Sequence, residues 1–365
     1  MSKIAMPGDI HFGYANRLED IAWACRVLNA YCEDHDINTV INLGDLTHDR
    51  KSIDLDVYCT VHDVLAEAKR ADIRWYTFLG NHDMFMKYSW EVNSAKPLSG
   101  VITVIDDVKL LKLDDRRFWV IPFIHFEKSY MRVLDKVQGM AEEGDSLLTH
   151  IGVRGSTLNT CFMIKDWSYV TFENTKFNKV YTGHFHTHQQ VGNNVWYPGS
   201  IIPFKHDEGD VPHGFLVYDT ETDTHEFVDI WEQGAKYYPD TTPPPQFMTV
   251  LDEQVTELNQ RDVKGNIVRV VLNRDHTADK KNQLKDALQQ LGAKKVRWMQ
   301  RENSGPKIRE SFGGGNKLTT PGELFIRWLE EDKPKDLDRK LLVRLENEIR
   351  TEGDEKYTYD ELDES

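Results

Sequence analysis

Thr39-Val40-Ile41-Asn42-Leu43-Gly44-Asp45-Leu46-Thr47-His48 runs from a β-branched apolar segment straight into a glycine and a carboxylate. The segment predicts a buried strand at 39–43, and Gly-Asp predicts a sharp turn at its end. Working outward, helical periodicity at 18–35 and 53–71 flanks it on either side, and short apolar runs at 4–6 and 74–79 predict the next strands. The resulting β-α-β-α-β order implies a parallel sheet. Beyond it strands predominate, at 101–105, 108–113, 117–121, 146–149, 179–181, 195–197 and 214–218, with one more helix at 126–140. Together these predict a mixed α/β domain over residues 1–238.

Composition sets limits on the class. Hydrophobic residues make up 39% and charged residues 29% of the 365, a globular balance that excludes wholesale disorder. The N-terminus lacks an apolar signal core, and no run approaches the ~18 residues needed to span a bilayer, so a soluble intracellular protein with no membrane contact is expected. Cys25, Cys32, Cys59 and Cys161 lie in apolar stretches without C-x-x-C spacing, which predicts reduced core thiols. With 45 Lys and Arg against 60 Asp and Glu, the net charge of -15 opposes indiscriminate adhesion to nucleic acid. A polyanionic substrate would have to be drawn in locally.

The proline-rich run 239–246 can continue neither a helix nor a central strand and predicts a linker. A small β-α-β domain should follow at 247–302, with strands at 266–272 and 294–299 around a helix at 279–291. Glycines then predict a flexible linker at 303–319. Thr320-Pro321-Gly322-Glu323 is a capping box that should open a helical segment, 320–350, before an acidic tail, 351–365.

Five separated motifs put ligand-type residues just after predicted strands, where open α/β sheets build their sites. They are Gly8-Asp9-Ile10-His11, Gly44-Asp45, Gly80-Asn81-His82-Asp83, Thr149-His150 and Gly183-His184-Phe185-His186. Any one alone carries little information. As an ordered set they supply carboxylate, imidazole and amide donors, a hard-to-intermediate combination suited to manganese, iron or zinc. So many donors exceed the needs of one ion and fit two, about 3.5 to 4 Å apart with a shared carboxylate. An extended strand end would point Asp9 with His11, and His184 with His186, in the same direction. Asp83 is expected to form a turn or to orient His82. His125, His206 and His213 are expected to be loop or wall residues, the last two solvated, and His188 is read as a residue of the same strand end outside the ligand set.

At these motifs the sequence resembles the calcineurin-like metallophosphoesterases. The resemblance narrows to the SbcD-type nuclease subunits of double-strand-break repair complexes through Asp9-Ile10-His11-Phe12-Gly13, Gly44-Asp45-Leu46-Thr47-His48, and Gly183-His184-Phe185-His186-Thr187 followed by Tyr197-Pro198-Gly199-Ser200. Asp219-Thr220-Glu221-Thr222 after Phe215-Leu216-Val217-Tyr218 is similar to phage members. The resemblance covers residues 1 to about 235. It implies a four-layer α-β-β-α sandwich followed by a small capping domain and C-terminal helices. It further implies that Asp9, His11 and His186 hold one ion, that Asn81, His150 and His184 hold the other, and that Asp45 bridges them. His82 would then act on the transition state and His48 would orient the phosphate.

The cage itself fits protein phosphatases, cyclic-nucleotide phosphodiesterases, nucleotidases and nucleases alike, so it does not choose a substrate. A phosphodiesterase of nucleotides or other small diesters is the alternative reading. Against a protein phosphatase, Asp45 is followed by Leu-Thr-His-Asp-Arg, and Gly-Asp-x-Val-Asp-Arg-Gly is missing. Arg50 and Lys51 beside the site, and Lys294, Lys295, Arg297 and Arg301 in the appended domain, are candidate DNA contacts. The family implies manganese, with magnesium, iron or zinc as alternatives. It also implies a 3'-to-5' duplex exonuclease and single-strand endonuclease, an SMC-like coiled-coil ATPase partner, a homodimer, and a cytoplasmic location, in a bacterial host if the chain is phage-encoded.

Overall fold

The computed structural model describes residues 3–159, 162–163, 170–209, 211–273 and 276–300, all within one compact unit, residues 1–301. The expected linker, helices and acidic tail at 303–365, with Arg301 and Cys161, lie outside the described residues.

Two six-stranded sheets dominate. The first runs Thr224–Asp229, Gly214–Asp219, Lys3–Met6, Thr39–Asn42, Arg74–Phe78 and Thr103–Ile105 in spatial order. Its last four strands are mutually parallel, and Gly214–Asp219 joins Lys3–Met6 antiparallel. The second runs Gln189–Val191, Val195–Tyr197, Val180–Gly183, Ser146–His150, Arg116–Ile121 and Lys109–Leu113, parallel at its centre and antiparallel at both edges.

Alternation along each strand builds the layers. Ile4, Met6, Ile41, Leu148, Phe118 and Val120 enter the core between the sheets, while their neighbours Ala5, Val40, Leu147, Trp119 and Ile121 face outward. Outside the first sheet pack helices Leu18–Asp34 and Leu55–Arg70, through stripes such as Ile21, Cys25, Leu28 and Val57, Val61, Val64. Helix Glu127–Met140 covers the second sheet through Tyr130, Leu134 and Val137. The architecture is therefore the expected α-β-β-α sandwich. At about 1.5–3 kcal/mol for each large apolar side chain buried, the three layers of contact bind the two sheets into one core.

The differences from the sequence reading lie in short strands. A hairpin of Met84–Met86 and Ser89–Asn93, which shows no long apolar run, follows the Asn81 turn. The small unit contains three parallel strands, Phe247–Leu251, Ile267–Leu272 and Lys295–Gln300, around helix Ala278–Gln290 and its own core of Val250, Val268, Val270, Leu284 and Leu288. The first of these strands was not expected, because the preceding prolines mask it in the pattern. Cys25 and Cys32 are buried as expected, whereas Cys59 is exposed on the outer face of its helix. Among the described residues no helix is long and apolar enough to cross a membrane.

Candidate metal centre

The carboxyl ends of both sheets' central strands meet, and the predicted ligands lie there, His150 as the last residue of its strand and the others on the turns that leave the strands. The turns are not extended strand ends. Asp9, His11, Asp45 and His184 have φ of 50°, 51°, 53° and 99°, in the left-handed region that costs non-glycine residues about 1–3 kcal/mol each. The expectation that strand alternation would converge each pair is thus corrected. The converging element is a pair of adjacent left-handed turns. The N–H of His11 donates to Asp45 C=O at 2.9 Å, that of Phe12 to Leu46 C=O at 3.0 Å, and that of His48 to Phe12 C=O at 3.0 Å. The His184 N–H donates to Asp9 Oδ1 at 2.9 Å, joining the second sheet to the first. Crowding accounts for the glycines. A Cβ on Gly80 would stand 2.1 Å from Asp45 Oδ1, and one on Gly183 would stand 2.5 Å from Leu43 O and 2.8 Å from His150 Nδ1.

The candidate donors fall into overlapping groups, Asp9 with His11 and His186, Asp9 with Asp45 and His150, and His11 with His48 and His82. His11 Nε2 and His186 Nε2 face each other at 3.2 Å, with Asp9 in the same cluster. His150 Nε2 and His184 Nδ1 converge on Asn81 Oδ1 at 3.0 and 2.9 Å. Asp45 Oδ2 stands between the two rings His11 and His150, 3.6 Å from His11 Nε2 and 3.3 Å from His150 Nε2. Asp9, His11, Asp45, Asn81 and His150 are buried, and His184 and His186 are half-buried.

This donor set fits divalent ions on its own chemistry. Two carboxylates buried to 0% and 2% exposure need positive charge beside them. Burial alone lowers the His150 imidazole, yet Asp45 and Asp9 bring it up to about 9. Burial raises the Asp9 carboxyl above its usual range, against the pull of His150 and His186. The far nitrogens of two candidate ligands are also committed: His150 Nδ1 donates to Leu43 C=O at 2.8 Å, and His186 Nδ1 to Glu208 Oε1 at 2.9 Å. Each of those rings is left presenting Nε2 to the centre, the orientation found in metal-ligating histidines.

His82 and His48 stand at the edge of the cluster. The His82 N–H donates to Asp45 Oδ1 at 2.7 Å and its Nδ1 to His48 C=O at 2.7 Å. The two rings stack at 4.9 Å between centroids, and His48 Nδ1 is 3.3 Å from His11 Nδ1. Burial first, and the His82 charge second, push the His48 imidazole down to about 4, so it is neutral near pH 7. Asp83 turns its carboxylate to backbone N–H groups. Its Oδ1 accepts from Leu46 N and Thr47 N at 3.0 and 3.1 Å, and its Oδ2 from Gly80 N at 3.0 Å. It therefore locks the Asp45 turn to the Asn81 turn, which is the turn-forming role carried one step further.

His188, His125, His206 and His213 lie outside these candidate groups. His188 stacks on Phe227 at 4.0 Å and bonds Tyr197 O, outside the ligand set, and His125 lies edge-on to Phe126. His206 and His213 are buried, not solvated as expected. His206 packs on Phe247 of the small unit, and His213 lies with Nδ1 3.0 Å from Ser200 O. Arg50 is half-buried and Lys51 exposed just beyond His48. Lys294, Lys295 and Arg297 are exposed. Arg297 is in register with Arg269 and lies close enough to help lower the His206 imidazole, so that face of the small sheet looks toward the 203–209 loop. Sequence reasoning missed Glu208, whose spacing from His186 follows no motif.

A family model described as calcineurin-like phosphoesterase matches residues 2–211, more than half of the chain. The chain belongs to the calcineurin-like phosphoesterases. This phosphoesterase is 25% identical over 214 residues to exonuclease subunit 1 of Enterobacteria phage T4, a match covering 54% of the chain and 58% of that relative's length. Among solved structures it is similar to GAP50, the anchor in the inner membrane complex of Plasmodium, at 11% identity and TM-score 0.44, covering 62% of this chain and 84% of that one. It is also similar to a dimetal phosphatase from Danio rerio, at 13% identity and TM-score 0.37, covering 59% and 91%. The candidate His and Asp groups of this phosphoesterase are suited to divalent ions.

Proposed function

We propose that this phosphoesterase is a manganese-dependent DNA nuclease, an exonuclease on duplex ends and an endonuclease on single strands. In this reading Asp9, His11 and His186 would hold one ion, Asn81, His150 and His184 would hold the other, and Asp45 would serve both. The observation that carries it is the sharing of Asp45 Oδ2 between two imidazole groups, 3.6 Å from one and 3.3 Å from the other. When bound, such a pair supplies a water of lowered pKa and positive charge for in-line displacement at phosphorus. The chain's own part is positioning. His82, held through Nδ1 by the His48 carbonyl, keeps Nε2 for the phosphate or the departing oxygen. His48, stacked on it, orients the phosphate.

DNA as substrate is supported by the likeness to a phage exonuclease subunit and by the basic residues at two places, Arg50 with Lys51 and Lys294 with Lys295 and Arg297. That relative's name describes a subunit, which supports a partner. We assign this role to an SMC-like ATPase, with DNA double-strand-break repair and recombination as the setting and a homodimer as the assembly. The test incubates the protein with labelled linear duplex and single-stranded DNA in manganese or in chelator, beside His82→Ala. Cleavage should require metal and fall by about 10²- to 10⁴-fold in the variant. Metal-independent cleavage would overturn the mechanism, and hydrolysis of small diesters without DNA cleavage would establish the alternative substrate.

A further inference from the structure

Glu208 is a carboxylate placed where the sequence gives no hint of one. It is 5% exposed and sits on a one-turn 3-10 helix, His206–Glu208, in the connection between strands Val195–Tyr197 and Gly214–Asp219. Oε1 accepts from His186 Nδ1 at 2.9 Å, while Oε2 accepts from Phe204 N at 2.6 Å and Lys205 N at 3.3 Å. Its carbonyl oxygen is 2.8 Å from His213 Nε2, and Ser200 N–H donates to the His186 carbonyl at 3.0 Å. The loop is also held from outside. Asp207 pairs with Arg269 at 2.8 Å, and His206 lies against Phe247. Arg17 bonds the carbonyls of Pro203 and Pro245.

We infer that Glu208 is a positioning residue for His186, fixing the tautomer with the proton on Nδ1 so that Nε2 is presented beside His11 and Asp9. The inference rests on the two-metal reading above. Both Glu208 oxygens accept, one from the imidazole and the other from backbone N–H groups, and glutamine of the same shape cannot satisfy both. If its carbonyl serves Phe204 N, its amide N–H₂ faces His186 Nδ1 and drives the proton to Nε2, where it blocks ligation. If its carbonyl serves His186, its amide clashes with the N–H groups of Phe204 and Lys205.

The test is calorimetric titration of manganese into chelator-stripped full-length chain, wild type and Glu208→Gln, with circular dichroism to establish that both are folded. Two ions should bind the wild type. In the variant one of them should weaken by about 10- to 100-fold and the other should hold its affinity. Wild-type affinity for both ions in folded Glu208→Gln overturns the inference. A wild type that binds fewer than two ions overturns instead the reading on which it rests. Should the variant fail to fold, side-chain ¹⁵N spectra of the zinc-loaded wild type decide. A protected proton on His186 Nδ1 supports the inference, and an unprotonated or freely exchanging Nδ1 overturns it.

Discussion

Asp83→Asn isolates the device that holds the two halves of the first sheet's ligand set together. Asp83 is 1% exposed and receives three backbone N–H groups, Leu46 and Thr47 on Oδ1 and Gly80 on Oδ2, at 3.0 to 3.1 Å. Asparagine keeps one acceptor oxygen. Its better orientation serves Leu46 and Thr47 and leaves the Gly80 N–H facing an amide N–H₂. One stranded buried donor costs about 1–3 kcal/mol; burial, with the Asp45 charge, already brings the Asp83 carboxyl up to about 7, so loss of its charge adds no further cost at neutral pH. The expected loss is about 1–3 kcal/mol, against a typical folding stability of about 5–15 kcal/mol. Guanidinium unfolding followed by tryptophan fluorescence, in chelator so that metal linkage does not contribute, measures it. A loss under about 1 kcal/mol would show that the Asp45 and Asn81 turns hold their shape without this carboxylate and would refute the reasoning.

Gly183→Ala should leave the fold recognisable but displace His150 from Leu43 O, since the new Cβ would stand 2.8 Å from its Nδ1; manganese titration should show one ion weakened at least tenfold, and unaltered binding would contradict the crowding. Asp145→Ala lies at the other ends of the strands, where the carboxylate accepts from Arg117 Nε at 2.8 Å, Trp119 Nε1 at 2.9 Å and Glu142 N at 3.0 Å. It strands the buried Trp119 Nε1–H donor while Arg117 keeps Glu142 at 2.8 Å, so it should cost about 1–3 kcal/mol in unfolding experiments while metal affinity is unchanged. Manganese at one hundred times its dissociation constant should raise the unfolding free energy by about 2.7 kcal/mol per ion, and a melting temperature indifferent to metal and chelator would count against the centre.

Much of this was legible in the chain because local chemistry writes it. The strand at Thr39–Asn42 and helices Leu18–Asp34 and Leu55–Arg70 have apolar patterns that match their periods, so they appear within one or two residues of expectation. The hairpin after Met84 and the strand Phe247–Leu251 were hidden because one alternates too briefly and the other abuts prolines. The basic residues of the small unit illustrate a different limit. Their charge is visible in sequence, but which face of Lys295–Gln300 carries Lys295 and Arg297 follows from Val296 and Trp298 packing inward.

By itself the sequence singled out the candidate donors. Asp9, His11, Asp45, Asn81, His150, His184 and His186 are readable because ligand chemistry requires particular atoms, and their order after strands reflects where an α/β sheet leaves its loops. Only the tertiary structure decided how those donors are held. The left-handed turns at Asp9, His11, Asp45 and His184, the three N–H groups gathered by Asp83, and the carboxylate of Glu208 behind His186 all depend on segments that meet across the two sheets. A pattern along one strand or helix records the neighbours in its own layer. It does not record which distant backbone amide or ring will be buried against it, and in this phosphoesterase those distant partners fix the geometry of the site.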